Sequence, residues 1–170
     1  MSRVDSVVNR LKENFPDGII EVEEFRGEVS VTVEKNKIRD IMLFLRDTDQ
    51  LLYDMLTDLC GVDYCGDTPR FEIVYLLRSS KFNNRLRIKA RVHEGEDCQL
   101  STVSDIWRAA DWLEREVYDM FGIRFNNHPD LRRILLMDEF VGHPLRKDFP
   151  TEGYDFERPF SVQLEEELSD

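Results

Sequence analysis

The chain has 170 residues, 41% hydrophobic and 11% aromatic, enough for the core of one domain and too apolar for wholesale disorder. No apolar run approaches the roughly 18 residues of a membrane span, and the opening MSRVDSVVNRLKENFP resembles neither a secretory nor an organelle signal, so a cytoplasmic protein of bacterial type is expected. A net charge of −12, from 35 acids and 23 bases, argues against nucleic acid and against direct docking on anionic lipid.

Val4, Val7, Val8 and Leu11 recur at helical spacing behind Ser2, with Asp5 three residues on; this predicts a capped first helix stopped by FPDG. IIEVEEF and EVSVTVE predict two strands around Arg26-Gly27, with Val29, Val31 and Val33 sharing one face of the second. Ile38, Ile41, Met42 and Leu45 predict a second helix. Leu52, Met55, Leu56 and Leu59 predict a third, ending near Gly61. RFEIVYLL and RLRIKARV predict a hairpin. The second of these alternates strictly, with Leu86, Ile88, Ala90 and Val92 inward and Arg85, Arg87, Lys89 and Arg91 outward. Those cations either grip an acidic partner or make a solvated face flanked by local carboxylates. Thr102 with Asp105 predicts a capping box for a last helix over 103–121, about 28 Å long. Its buried stripe is Val103, Ile106, Ala110, Leu113 and Val117, and Gly122 suits the C′ position. Adjacent strand pairs on short turns predict an α+β domain over 1–122, a mostly antiparallel sheet with helices packed on one face.

After Gly122 the periodicity stops. Residues 123–170 hold four of the six prolines, yet also Ile123, Phe125, Leu131, Ile134, Leu135, Leu136, Phe140, Val141, Leu145 and Phe149. So long an irregular stretch with so many large apolar groups is anomalous inside a compact domain. It predicts an extended C-terminal arm that wraps a partner surface and orders there. Charge is uneven along it: 124–149 is nearly neutral at +1, whereas 151–170 carries seven acids against Arg158 alone.

Cofactor chemistry finds little purchase. Cys60, Cys65 and Cys98 include no CxxC pair, so small buried thiols are the simpler reading than a disulfide framework, zinc or an iron–sulfur cluster. Glu114 and Glu116 stand two apart on a helix and diverge by about 200°, so they cannot share a substrate as acid and base. Arg115 with Asp119, at i and i+4, reads as a surface ion pair. His128-Pro129 and His143-Pro144 are corners of a bending chain, because each proline fixes its own φ and extends the residue before it. Arg132-Arg133 and Arg146-Lys147 lack any Gly-rich phosphate loop, which leaves carboxylates on a partner protein as the better target.

EREVYDMFGIRF, HPDLRRILL and GHPLRKDFP occur in that order, and TDLCGVDY, RFEIVYLL and STVSDIWRAADW precede them. Over roughly residues 50–160 the chain closely resembles the 30 kDa subunit family of NADH-quinone oxidoreductase, respiratory complex I. The first 50 residues match only in pattern. The resemblance implies a peripheral-arm subunit with no catalytic residues and no cofactor of its own, flavin, iron–sulfur clusters and quinone belonging to partner subunits. It implies packing against the hydrogenase-like quinone-pocket subunit and neighbouring iron–sulfur subunits, on the cytoplasmic side of the bacterial inner membrane. It places subunit-interface roles on Glu114, Arg115, Glu116, Asp119, Gly122, His128, Pro129, Asp130, Arg132 and Arg133. The same roles fall on Gly142, His143, Pro144, Leu145, Arg146, Lys147, Asp148 and Phe149. The chain ends soon after the arm, which suits the stand-alone form of this subunit. An equivalent subunit of a related membrane-bound hydrogenase, or of a ferredoxin- or deazaflavin-dependent complex, is the alternative.

Overall fold

A computed structural model of the chain describes residues 3–154. The expected Ser2 cap and the last sixteen residues of the acidic end lie outside the described residues. Helix α1 (Arg3–Asn14) buries Val7 and Leu11 and ends where Pro16-Asp17-Gly18 turns the chain into the sheet. Strands β1 (Ile19–Phe25) and β2 (Glu28–Val33) pair antiparallel across Arg26 and Gly27. Both turn residues take positive φ, 53° and 80°, the twist that a two-residue hairpin loop requires. Helix α2 (Ile38–Asp47) follows a 3₁₀ turn at Lys35–Lys37 and buries all four residues of its predicted stripe.

Strand β3 (Met55–Asp63) stands where the sequence predicts a third helix. The register slips between Leu56 and Asp58, a β-bulge. One extra residue on the strand puts Leu56 and Leu59, three apart, on the same inward face, opposite Leu77 and Tyr75. That spacing imitates one face of a helix. β4 (Phe71–Ser79) and β5 (Asn84–Val92) form the predicted hairpin, with Leu86, Ile88, Ala90 and Val92 buried as expected.

The five strands run in the order β1-β2-β5-β4-β3, antiparallel throughout except for β2 beside β5. The inward face of this sheet and the buried sides of the helices form one apolar core. On the opposite face Arg87, Lys89 and Arg91 pair with Glu28, Glu23 and Glu72, which is the solvated reading of the cationic row.

The last helix, α3 (Ala109–Phe121), is shorter than expected. Thr102 does not cap a helix at 103. Its hydroxyl donates to the Glu114 carboxylate, which also accepts the Val103 N–H at 2.7 Å. Residues 103–108 are thereby held as turns whose Val103, Ile106 and Trp107 are buried. Short strands β6 (Gln99–Ser101) and β7 (Arg124–Asn126) flank α3 and pair in parallel as a second small sheet. Beyond β7 the described residues form no further helix or strand. No helix among them is long and apolar enough to cross a membrane.

Candidate functional site

The irregular segment does not hang free: it is fastened to its own domain at three places. The first is Asp119, fully buried on α3. One carboxylate oxygen accepts the N–H groups of Ile134, Leu135 and Leu136 at 3.1, 2.9 and 2.9 Å, and the other accepts Arg133 Nη1 at 2.8 Å. Burial alone would raise this carboxyl, but the three backbone donors and the guanidinium outweigh it and hold it below the usual range. Arg133 continues to the Phe140 and Gly142 carbonyls at 3.0 and 3.2 Å. The expected Arg115–Asp119 surface pair is therefore absent. Arg115 is also buried and donates to the Arg132 and Arg133 carbonyls at 3.1 and 2.9 Å.

The second fastening is the end of α3. The last four carbonyls of a helix have no partner within it, and here each has one outside. Gly122 N–H reaches Tyr118 O at 2.8 Å and Leu145 N–H reaches Met120 O at 3.1 Å. His143 Nδ1 faces Asp119 O at 2.9 Å, and Arg146 Nε donates to Phe121 O at 2.6 Å. The GHPLR stretch is thus a cap supplied from far along the chain. Gly122 takes left-handed φ, 74°, as its predicted C′ position requires. A Cβ there would lie 2.5 Å from His143 Nε2 and 2.7 Å from Arg146 Nη2. His143 is held below its ordinary pKa chiefly by burial, which suits a neutral ring donating to a carbonyl.

Arg70 makes the third. It is 8% exposed and grips Asp63 with Nε and Nη2, both at 2.8 Å, and Asp148 with Nη2 and Nη1 at 2.6 and 3.0 Å. Glu94 joins at 2.7 Å, and Asp63 also accepts the Lys147 N–H at 2.8 Å. Arg146 stacks over the Phe71 ring at 5.1 Å. Its guanidinium is committed to this chain, so it is not the free cation that the sequence suggests for a partner's carboxylate.

Glu114, 0% exposed, is the counterpart of Asp119 without a cation bonded to it. Burial pushes its carboxyl up to about 7 against the lowering pull of the Thr102 and Val103 hydrogen bonds, with Asp111 and Asp105 adding to the rise. His128 lies 3.8 Å away; its Nε2 faces Asp111 O at 3.1 Å, and its Nδ1 accepts the Asp130 N–H.

Most of the motif residues therefore face one another. Phe149 stacks on Phe140 and meets Tyr154 edge-on, and a Cβ on Gly142 would fall 2.8 Å from Phe149. Pro144 is half-buried beside this cluster in the chain. Those that reach outward are Glu116, Pro129, Asp130, Arg132, Leu145, Lys147 and Asp148, the last engaged by Arg70. Sequence reasoning missed Asp63, Arg70 and Glu94, whose contacts with one another and with the arm reach across as many as 84 residues, and read Thr102 as a helix cap and not as the partner of Glu114. It also passed over Met137 and Tyr154, and named Leu135 and Val141 only within the arm's apolar set. Leu135, Met137, Val141, Tyr154 and Leu145 are exposed at 64, 73, 54, 58 and 53% in that order, five of the nine large apolar side chains exposed among the described residues. No cluster of three or more His, Cys, Asp or Glu side chains among the described residues is placed to hold a metal ion.

The profile of the family "Respiratory-chain NADH dehydrogenase, 30 Kd subunit" matches residues 31–155. An NADH-quinone oxidoreductase subunit of Geobacter sulfurreducens is 52% identical over 165 residues, spanning 96% of this chain and 99% of its own. The subunit of the same name from Geotalea uraniireducens is 52% identical over 164 residues, spanning 96% and 98%. A trypsin-resistant fragment (1–134) of Nqo5, a solved structure, superposes with a TM-score of 0.66 at 31% identity, over 76% of this chain and all of the fragment. An archaeal membrane-bound sulfane sulfur reductase shares the fold, with a TM-score of 0.75 at 24% identity over 88% of this chain and 87% of its own. With a matching profile over more than half its length and relatives at this identity, the chain belongs to the family of the 30 kDa subunit of respiratory-chain NADH dehydrogenase.

Proposed function

We propose that this chain is a peripheral-arm subunit of a proton-translocating NADH:quinone oxidoreductase that carries no flavin, cluster or catalytic residue itself. Its work is assembly: the arm beyond Gly122 joins the hydrogenase-like quinone-pocket subunit and neighbouring iron–sulfur subunits on the cytoplasmic face of the inner membrane. One observation carries this reading. The arm is prefolded by its own motif residues, yet leaves Leu135, Met137, Val141, Leu145 and Tyr154 more than half exposed within twenty residues. Burying such a surface is favourable by about 25 cal/mol per Å², and preordering lowers the entropy lost on docking. The identity to NADH-quinone oxidoreductase relatives, 52% across nearly the whole chain, supports the same complex. The related hydrogenase-type and ferredoxin- or deazaflavin-fed assemblies are separated from it by the proteins that co-purify.

The test is a tagged chain purified from its native membrane, beside a Leu135→Asp, Met137→Asp double variant. NADH dehydrogenase subunits are expected with the former and not with the latter, whose melting temperature alone stays unchanged. The chain purified in isolation is expected to show no visible or paramagnetic-resonance signal. Normal assembly by the double variant, or a stoichiometric flavin or cluster in the isolated chain, overturns the reading.

A further inference from the structure

Where α3 begins lies a groove of about 670 Å³ between residues 101–105, the first turn of α3 and the turn 126–129. Trp112 lines it and is 62% exposed, an unusual position for the largest apolar side chain. Pro129 adds a second apolar surface. The charges around it are mostly satisfied within the chain. Arg39 and Asp105 are joined by two bonds of 2.5 and 2.6 Å, and Asp111 faces His128 Nε2 at 3.5 Å. Arg108 is the exception: it is exposed, lies one helical turn before Trp112, and has no ion pair with any described residue. In a chain with 35 acids and 23 bases, an arginine left unpaired beside an exposed tryptophan is a place for a carboxylate from outside. Asn126 and Asn127 lie exposed at the groove, and their side-chain amides make no hydrogen bond to any described residue. Such amides donate and accept at once, as a polypeptide backbone requires. Tryptophan and arginine are also the residues that most often dominate protein interfaces. A phosphorylated small molecule fits less well, since Arg39, the groove's other cation, is already held by Asp105.

We infer that this groove receives an extended, carboxylate-bearing segment of a neighbouring subunit, its carboxylate on Arg108 and an apolar side chain against Trp112. The inference rests on the reading of the chain as an assembly subunit, and the experiment separates the two. Tagged chains carry benzoylphenylalanine in place of Trp112 or of Met137, are assembled in the native membrane, and the purified complex is irradiated. Crosslinked peptides are then sequenced by mass spectrometry. Position 112 is expected to crosslink to a stretch of another subunit that contains an Asp or Glu within a few residues of the linkage. Arg108→Glu is expected to lower that yield by roughly tenfold or more, Arg108→Lys to retain most of it, and neither to change the yield at position 137. If 137 crosslinks to a partner and 112 does not, the groove touches no neighbour and only this inference falls. If neither crosslinks, the assembly reading falls with it. A crosslinked stretch without an acid, or an Arg108→Glu variant with undiminished yield at 112, also overturns the assignment.

Discussion

Glu114 and Asp119 are both fully buried carboxylates on α3, five residues apart, and they titrate in opposite directions. The difference lies in their donors. Asp119 gathers three backbone N–H groups and a guanidinium, whereas Glu114 has one N–H and one hydroxyl, too few to offset its desolvation. Glu114 therefore binds its proton more tightly in the folded chain, near 7, than at its ordinary 4.5. Its stabilising contribution is fully present below about 4.5 and is lost as pH rises through about 7. The gap corresponds to at most roughly 3 kcal/mol. Unfolding free energies of the wild type and Glu114→Gln, measured by urea titration, are expected to diverge over that window, the wild type losing ground as pH rises. Parallel curves would count against a buried, proton-holding Glu114. For Asp119→Ala, which leaves Arg133 and three amides unpaired, a loss of about 3–5 kcal/mol is expected. The amides of residues 134–136 should lose their exchange protection first, while those of β4 and β5 keep theirs. Retained protection at 134–136 in the variant would show that Asp119 is not the anchor. Neither role was legible in the sequence: both carboxylates act on backbone groups 11 to 17 residues away, and residue patterns record side chains only.

At the scale of the elements, alternation was legible wherever the strand was regular. RLRIKARV reads directly as β5 because each inward residue is apolar and each outward one charged. β3 was misread because its bulge moves the inward residues from a spacing of two to a spacing of three, the signature of a helix. The start of α3 was misread for a different reason, since Thr102 has a capping residue's chemistry but gives its hydroxyl to Glu114. The end of α3 was legible in part. Glycine at 122 announces a left-handed residue, but not the His143 and Arg146 side chains pressed against it. Gly122→Ala should therefore exceed the about 1–2 kcal/mol of left-handed strain alone, because the added methyl also displaces the cap. A total loss of more than about 2 kcal/mol in chemical denaturation is expected. A loss below about 1 kcal/mol would mean that the cap moves aside without penalty.

Across the whole molecule, the irregular composition after Gly122 goes with a segment that, past β7, holds no further helix or strand among the described residues. What composition did not convey is that this segment closes on its own chain first. The bonds that join residues 63, 70, 94 and 148 reach across as many as 78 residues, and the Lys147 amide's bond to Asp63 across 84; no local pattern encodes such a meeting. The placing of the family motifs follows from this. Their polar members order the arm from within, whereas the apolar Leu135, Met137 and Val141 are presented to solvent. Charge reversal at Arg146 is consequently a poor probe of partner contacts, since it disturbs the α3 cap as well. Lys147, whose side chain makes no ion pair with any described residue, is the cleaner position.

The distant cap on α3 has a temporal consequence. His143 and Arg146 follow the carbonyls they serve by 24 and 25 residues. Chains are made from the N-terminus at about 5–20 residues per second, so the last turn of α3 exists for on the order of seconds before its partners have been added. During that interval the polypeptide leaving the ribosome holds a helix with a frayed end and an Asp119 lacking its donors. The final turn should therefore set only once the arm has folded back, making it one of the last parts of the domain to become native.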